Sequence, residues 1–243
     1  MKRALVTGGS GGIGAAICRR LAADGCHVIV HANRGREKAE TVVGEILAGG
    51  GSAEAIIFDV TDREPAATAL ADLLAAGPIQ ILVNNAGIHA DAVFPGMSGE
   101  QWDSVIDVSL NGFFNVTRPL ILPMIRTRWG RIINISSVAA ITGNRGQVNY
   151  SAAKGALHAA SKSLAREAAS RGTTVNAVAP GIIATGMADG VFDAATIKAL
   201  ELTQRAGKPE EVADLVGFLA SEQAADLSGQ MISINGAPIW SFS

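Results

Sequence analysis

The sequence is poor in several residue types, and each scarcity excludes something. Its 243 residues include only two cysteines, Cys18 and Cys26, with no CxxC spacing. That argues against a disulfide scaffold or a thiolate metal site and for free thiols in a cytoplasmic setting. There is no excess of either charge: 20 basic residues face 22 acidic ones, for a net charge of -2. Nucleic-acid and membrane-surface binding both rest on basic excess, so neither is expected. No run of about 18 apolar residues occurs, and no bilayer-spanning helix is expected. Met1–Thr7 carries a basic flank but meets Gly8 too early to form the apolar core of a signal segment. Glycine (28) and proline (8) are too few for a disordered chain. Tyrosine occurs once, at Tyr150. Any phenol chemistry therefore belongs to that residue.

What is present is a regular alternation. Strand-length apolar runs lie at Ala4–Thr7, His27–His31, Glu54–Phe58, Ile79–Asn84, Arg131–Ile135, Thr174–Val178 and Met231–Ile234. They are nearly continuous in apolar residues, as strands covered on both faces are. Helical stretches separate them: Gly12–Ala23, Glu37–Ala48, Arg63–Ala75, Gly99–Met124, Asn149–Ser170 and Pro209–Ala220, the last opened by a helix-start proline. This order predicts an α/β, Rossmann-type, doubly wound parallel sheet of seven strands with helices on both faces, a three-layer sandwich. Residues 1–243 are expected to form a single dinucleotide-binding and catalytic domain. The irregular stretch 181–207, with a helical pattern near Phe192–Leu202, is expected to cover the ligand crevice as a lid.

The first strand runs into Thr7-Gly8-Gly9-Ser10-Gly11-Gly12-Ile13-Gly14, and a helix follows. Glycines at such a junction let the backbone turn tightly and approach a pyrophosphate, which then faces the N–H groups of the helix start. Both the GxGxxG and the GxxxGxG registers fit, in the strand–turn–helix context that a dinucleotide site requires. After the second strand comes His31-Ala32-Asn33-Arg34-Gly35-Arg36, with no carboxylate to hold ribose hydroxyls. A missing acid and nearby arginines favour a 2′-phosphate, and hence NADP(H), with Arg34 or Arg36 as its partner. Asp59 is read either as an acceptor for the adenine amine or as a capping residue beside Thr61 and Asp62. Asn84-Asn85-Ala86-Gly87 closes the fourth strand with small residues and amides that tie strands or reach a ribose.

Tyr150 opens Asn149-Tyr150-Ser151-Ala152-Ala153-Lys154, which places Tyr150 and Lys154 one helical turn apart on the same face. A phenol holds its proton too tightly for neutral pH, and a nearby ammonium favours the phenolate. Lys154 also has donors enough for a diol. Ser136-Ser137 closes the fifth strand and brings a hydroxyl to the edge of the sheet that carries the glycine turn. His27 and His31 have no third ligand, so no metal site is expected. His158, a turn beyond Lys154, is read as a packing histidine. Met187, Phe192 and Leu200 are candidates for lining an acyl pocket. Trp102, Trp129 and Trp240 are read as core or subunit contacts.

Thr7-Gly8-x3-Gly12-Ile13-Gly14, Asn84-Asn85-Ala86-Gly87, Ser137, Tyr150-x3-Lys154 and Pro180-Gly181-x3-Thr185 together resemble the short-chain dehydrogenase/reductase family over essentially the whole chain. Within it, 84–91 and 143–154 are most similar to the 3-oxoacyl-[acyl-carrier-protein] reductases. The resemblance implies NADPH as cofactor, a 3-oxoacyl group on acyl carrier protein as substrate, and a homotetramer. It assigns proton donation to Tyr150, the carbonyl oxygen to Ser137, and the nicotinamide ribose to Lys154. Cofactor contacts are implied for Gly8, Ser10, Gly11, Gly12, Ile13 and Gly14 in the first turn, and for Asn33, Arg34, Asp59 and Val60 after the next two strands. Asn85, Ala86 and Gly87 follow from the fourth strand, and Pro180, Gly181, Ile183 and Thr185 from the sixth. Gln147, Arg128 and Arg171 match positions that meet substrate or carrier. Other readings stay open: a dehydrogenase of a small alcohol, sugar or steroid, or a subunit that binds NADPH without turnover. Two departures are visible. The family's relay asparagine is Ser109 here, with Asn111 two residues on, and Gly11 stands where many NADP-binding members carry a basic residue.

Overall fold

The computed structural model describes residues 1–185 and 203–236. Seven parallel strands form one sheet in the order β3-β2-β1-β4-β5-β6-β7. They are β1 Arg3–Val6, β2 His27–Ala32, β3 Ser52–Ile57, β4 Ile81–Asn84, β5 Gly130–Ile135, β6 Thr173–Pro180 and β7 Met231–Ile234. Successive side chains of a strand point to opposite faces, so each strand must be apolar at every position to be covered on both. Ala4, Val6, Val28 and Val30 pack on one face with α1 (Gly12–Ala23), α2 (Arg36–Ala48) and α8 (Pro209–Ala220). Leu5, Ile29, Leu82, Ile132 and Val175 pack on the other, against α3 (Arg63–Ala75), α5 (Gly112–Arg126) and α7 (Val148–Ala168). The result is the expected three-layer α/β sandwich. β3 and β7 lie at the edges and are the least covered strands.

One expected helix is interrupted. The stretch read as continuous over 99–124 is α4 (Gly99–Ile106), a π-helical segment Asp107–Asn111, and α5. α4 starts on a capping box, Ser98 with Gln101. The π segment ends where Gly112 passes Val60: a Cβ on Gly112 would lie 2.9 Å from Val60 Cγ2. Asn115 anchors the following turn, its amide donating to Val60 O at 2.9 Å and its carbonyl accepting from Arg63 Nε at 3.2 Å. The interruption turns Ser109 inward to 3% exposure, while Asn111 stays outside and donates to Asp107 Oδ1 at 2.6 Å. A short helix α6 (Ala139–Thr142) lies between β5 and α7.

Among the described residues, no helix is long and apolar enough to cross a membrane. The core of the expected lid, with Met187, Phe192 and Leu200, lies outside the described residues, as does Trp240.

Candidate active site

In a parallel sheet every strand ends at the same edge, so the segments that follow β1, β4, β5 and β6 converge. The strand order reverses between β1 and β4, where open α/β sheets leave a crevice for ligands.

The turn after β1 is tied to β4. Thr7 Oγ1 accepts the N–H groups of Asn85 (2.9 Å) and Ala86 (3.0 Å), and Asn85 Nδ2 donates to Thr7 O (2.9 Å) and Gly8 O (3.1 Å). Gly8 and Gly12 have φ of +62° and +51°, which L side chains rarely adopt. Gly14 is required for a different reason: a Cβ there would overlap Gly8 O and sit 2.6 Å from Asn85 Nδ2. α1 then begins with no side-chain cap and no acid in its first turn. Its first N–H groups and positive end are therefore left for an anion. A Cβ on Gly11 would meet nothing within 4 Å, and Thr185 stands over Gly12 with Cγ2 3.5 Å from such a Cβ. Ser10, Gly11 and Gly12 open into a groove of about 310 Å³ whose lining includes Lys38, Glu210 and the ion pair of Arg19 with Glu45 at 2.7 Å. An uncapped helix start beside an open groove suits a dinucleotide pyrophosphate.

His31 supports this turn. Its Nδ1 accepts the Gly8 N–H at 3.1 Å, its Nε2–H donates to Phe58 O at 2.9 Å, and its backbone carbonyl accepts the Gly9 N–H at 2.8 Å. Sequence reasoning had weighed His31 only as a metal ligand. Its actual partner, Gly8, is identified only once β2 is known to neighbour β1. Further along this edge, Asp59 accepts from Thr61 N (2.9 Å), Thr61 Oγ1 (2.7 Å) and Asn33 Nδ2 (3.1 Å). Burial pushes the Asp59 carboxyl up, but these bonds and nearby Arg34 outweigh it and hold the pKa below its usual range. Asp59 thus closes the turn at Thr61 and caps no helix: the N-cap of α3 is Asp62, with no side-chain bond. Val60 is buried, Arg34 is exposed, and Arg36 pairs with Glu40 at 3.5 Å.

Lys154 is 3% exposed, and its ammonium donates to Ile135 O at 2.9 Å. Gly87 passes against it: a Cβ there would lie 3.2 Å from Lys154 Nζ. Burial lowers the Lys154 pKa to about 8. The Ser137 hydroxyl stands near enough to the Tyr150 phenol to favour its ionised form, and Ser137 Oγ accepts from Ala139 N at 3.2 Å. The expected lowering of the phenol by the lysine does not occur. Burial raises Tyr150, Asp91 adds to the rise, and Ser137 opposes both. The ammonium lies 5.7 Å from the ring centroid and is directed at Ile135 O.

Further residues support the site, and of these Asn134, Ser161 and His89 carried no sequence signal that singled them out. Asn149, fully buried, donates to Ala90 O (3.0 Å) and Gln101 O (2.9 Å) and accepts the Tyr150 N–H (2.8 Å), which fixes the start of α7. Asn84 bonds Asn134 at 2.8 Å, and Asn134 bonds Ser161 at 2.8 Å, a polar line from β4 through β5 to α7. Ser136 Oγ donates to Lys154 O at 3.0 Å and meets His158 Nε2 at 2.6 Å, so His158 is a packing histidine with its nitrogen satisfied. His89 stacks on Tyr150, with ring centroids 4.4 Å apart. After β6, Pro180 O accepts from Val138 N at 3.0 Å, Gly181 N donates to Ile234 O at 2.9 Å, and Ile183 bridges to Gly207. The hydroxyl of Ser109 is buried without a hydrogen-bond partner among the described residues.

The structure separates the three residues expected to meet substrate or carrier. Gln147 lies at the mouth, donating to Asp91 Oδ2 at 2.8 Å beside Tyr150. Arg128 and Arg171 adjoin each other, but each precedes a strand, β5 and β6, and so stands at the opposite edge of the sheet. A six-residue strand separates the two edges by roughly 20 Å, more than an arginine spans.

Residues 2–196 match the family model described as short chain dehydrogenase. Over 234 residues the chain is 45% identical to the 3-oxoacyl-[acyl-carrier-protein] reductase FabG of Aggregatibacter actinomycetemcomitans, an alignment covering 96% of this chain and 97% of that one. It is 46% identical to Nodulation protein G of a Rhizobium species, covering 97% of this chain and 96% of the relative. It is 43% identical to a 3-oxoacyl-[acyl-carrier-protein] reductase of Synechocystis, again over 97% and 96%. With the match spanning the glycine turn, Ser137, Tyr150 and Lys154, the chain belongs to the short-chain dehydrogenase family.

Proposed function

We propose that this protein is an NADPH-dependent reductase that converts 3-oxoacyl groups on acyl carrier protein to 3-hydroxyacyl groups, as in fatty-acid synthesis. The observation that carries the reading is Tyr150 beside Ser137 at the same sheet edge as the glycine turn, with Lys154 one helical turn on. The relatives named for this reaction supply the substrate class. Residues 1–243 act as one dinucleotide-binding and catalytic domain.

When bound, NADPH supplies the hydride. Gly8 to Gly14 and the start of α1 would hold its pyrophosphate, beside Thr185. Asn33, Arg34, Asp59 and Val60 would serve the adenosine side, and Asn85, Ala86, Gly87, Pro180, Gly181 and Ile183 the nicotinamide side. Preference for the 2′-phosphate rests on the missing carboxylate after β2 and on Arg34, with Lys38 on the rim of the groove that Gly11 leaves open.

Ser137 donates a hydrogen bond to the ketone oxygen and Tyr150 delivers a proton to it as the carbon receives hydride, so C=O becomes CH–OH with charge conserved. A phenol raised above its usual pKa stays protonated at working pH, the form a donor requires. Lys154 holds the ribose hydroxyls with the donors that Ile135 O leaves unused.

Docking and assembly become one proposal. Arg128 and Arg171 lie too far from their own Tyr150 to steer a carrier to it, so a carrier held there serves the site of another subunit in a homotetramer. The cytoplasmic assignment rests on two cysteines that stay unpaired. A rate panel of 3-oxoacyl carrier substrates, acetoacetyl pantetheine and simple ketones tests the reading. Carrier-bound substrates should be fastest, and Tyr150→Phe should lose most of kcat while keeping NADPH affinity. Equal rates across the panel would transfer the assignment to a small-alcohol dehydrogenase.

A further inference from the structure

We propose that His89 is a positioning residue for Tyr150: its imidazole lies flat against the phenol and, braced by Gln147 and Asp91, holds one face of the ring. The inference rests on the reading of Tyr150 as proton donor.

The geometry is specific. The two rings are 4.4 Å apart at their centroids and inclined by 27°, a stack rather than an edge contact. His89 does not belong to the hydrophobic core; its side chain is 33% exposed. The three residues that follow it are nonetheless held to the segment that opens α7. Asn149 Nδ2 donates to Ala90 O at 3.0 Å, Ala92 N to Gly146 O at 2.9 Å, and Gln147 Nε2 to Asp91 Oδ2 at 2.8 Å. The ring itself is braced through Nδ1, 3.5 Å from Gln147 Nε2 and 3.9 Å from Asp91 Oδ1. Loop and helix start therefore move as one piece, with the imidazole between solvent and phenol. Lys154 Nζ stands 5.7 Å from the Tyr150 centroid. A ring held by a stacked imidazole loses motions that would carry its hydroxyl away from Ser137, and such confinement raises kcat without changing cofactor binding.

The charged groups that face His89 are Asp91 from its own loop and Lys154 from α7. Burial is the largest influence on its pKa and lowers it, Asp91 opposes, and Lys154 adds to the lowering. The imidazole is therefore neutral at pH 7 and gains a proton only in more acidic solution, when a cation comes to lie on the phenol face.

The single tyrosine makes this measurable. The full chain grown with 3-fluorotyrosine gives one 19F resonance, from position 150. In the wild type that resonance should shift with an inflection below pH 6.5, and the inflection should vanish in His89→Phe and His89→Ala. At saturating substrates His89→Ala should lose roughly tenfold in kcat with unchanged KM for NADPH, and His89→Phe, which restores a flat ring, should recover most of that loss. A resonance that ignores pH in the wild type, or His89→Ala with wild-type kcat, would overturn the proposal. Failure of the donor reading is separate: it would appear as undiminished kcat in Tyr150→Phe, which leaves His89 in place.

Discussion

Lowering the pH should remove stability from this fold through one buried imidazole. His31 is 2% exposed and bonded on both nitrogens to backbone groups, Nδ1 to an N–H and Nε2 to a carbonyl. An amide nitrogen can only donate and a carbonyl can only accept, so these partners select the neutral Nε2–H tautomer. Protonation would set a second N–H against that of Gly8. Burial lowers His31 from 6.5 to about 4, against smaller opposing pulls from the Phe58 bond and Asp59. As pH falls, the unfolded chain takes up this proton before the folded one does. The contribution is therefore whole above about 6.5 and is lost as pH drops toward about 4. The gap corresponds to about 3 kcal/mol when fully lost, and integration between pH 7 and pH 5 gives about 2 kcal/mol.

The assay is denaturant unfolding at pH 7 and pH 5, at one protein concentration so that any association contributes equally. His89 and His158 are also held below their ordinary values and push in the same direction, so the wild type alone does not isolate His31. His31→Gln does: its amide keeps a donor for Phe58 O and has nothing to titrate. It should cost about 1 kcal/mol at pH 7 through the weakened bond to Gly8. It should also lose about 2 kcal/mol less than the wild type between the two pH values. Equal losses in both proteins would show that His31 is not a buried neutral imidazole, and would refute the argument.

Gly14→Ala should weaken NADPH binding at least about tenfold by calorimetric titration, because its Cβ overlaps the Gly8 carbonyl and crowds Asn85; wild-type affinity would mean that the turn yields freely. Ser109→Ala should unfold within about 0.5 kcal/mol of the wild type, since the hydroxyl it removes is buried and unbonded. A loss well beyond that would reveal a bond to a water that the hydroxyl holds. Arg34→Ala and Lys38→Ala should each raise KM for NADPH several-fold and leave that for NADH nearly unchanged; parallel changes for the two cofactors would remove both residues from 2′-phosphate recognition.

Much of the fold was legible because a strand covered on both faces has to be apolar throughout, and Leu5 and Val6, or Ile29 and Val30, show that pattern directly. The π segment was not, because a helical period does not reveal one inserted residue. The segment ends where Gly112 meets Val60, more than fifty residues away in sequence. The glycine turn, Ser137, Tyr150 and Lys154 could be brought to one edge from their places after strands or at a helix start. The same logic applies to Arg128 and Arg171, which precede strands in a parallel sheet and must stand at the other edge. Matching their positions to a family hid what the topology already implied. His31 and His89 were beyond reach for another reason: their partners, Gly8 and Tyr150, lie on neighbouring elements, and nothing in residue type or spacing names them.

The pairing of Tyr150 with Lys154 also changes meaning once geometry replaces spacing. Read along a helix, an ammonium one turn from a phenol implies a phenol made more acidic. In the folded chain Lys154 gives its proton to a bond with Ile135 O, and burial has brought its own pKa to about 8, while burial and Asp91 raise the phenol. The two groups are thus poised toward their neutral forms, which suits reduction: a donor must enter the reaction holding its proton, and Tyr150 does. For the reverse reaction the phenolate is needed, and only Ser137 favours it here. With the phenol raised, its phenolate is populated only at high pH, so oxidation of a 3-hydroxyacyl substrate should require markedly higher pH than reduction of its ketone.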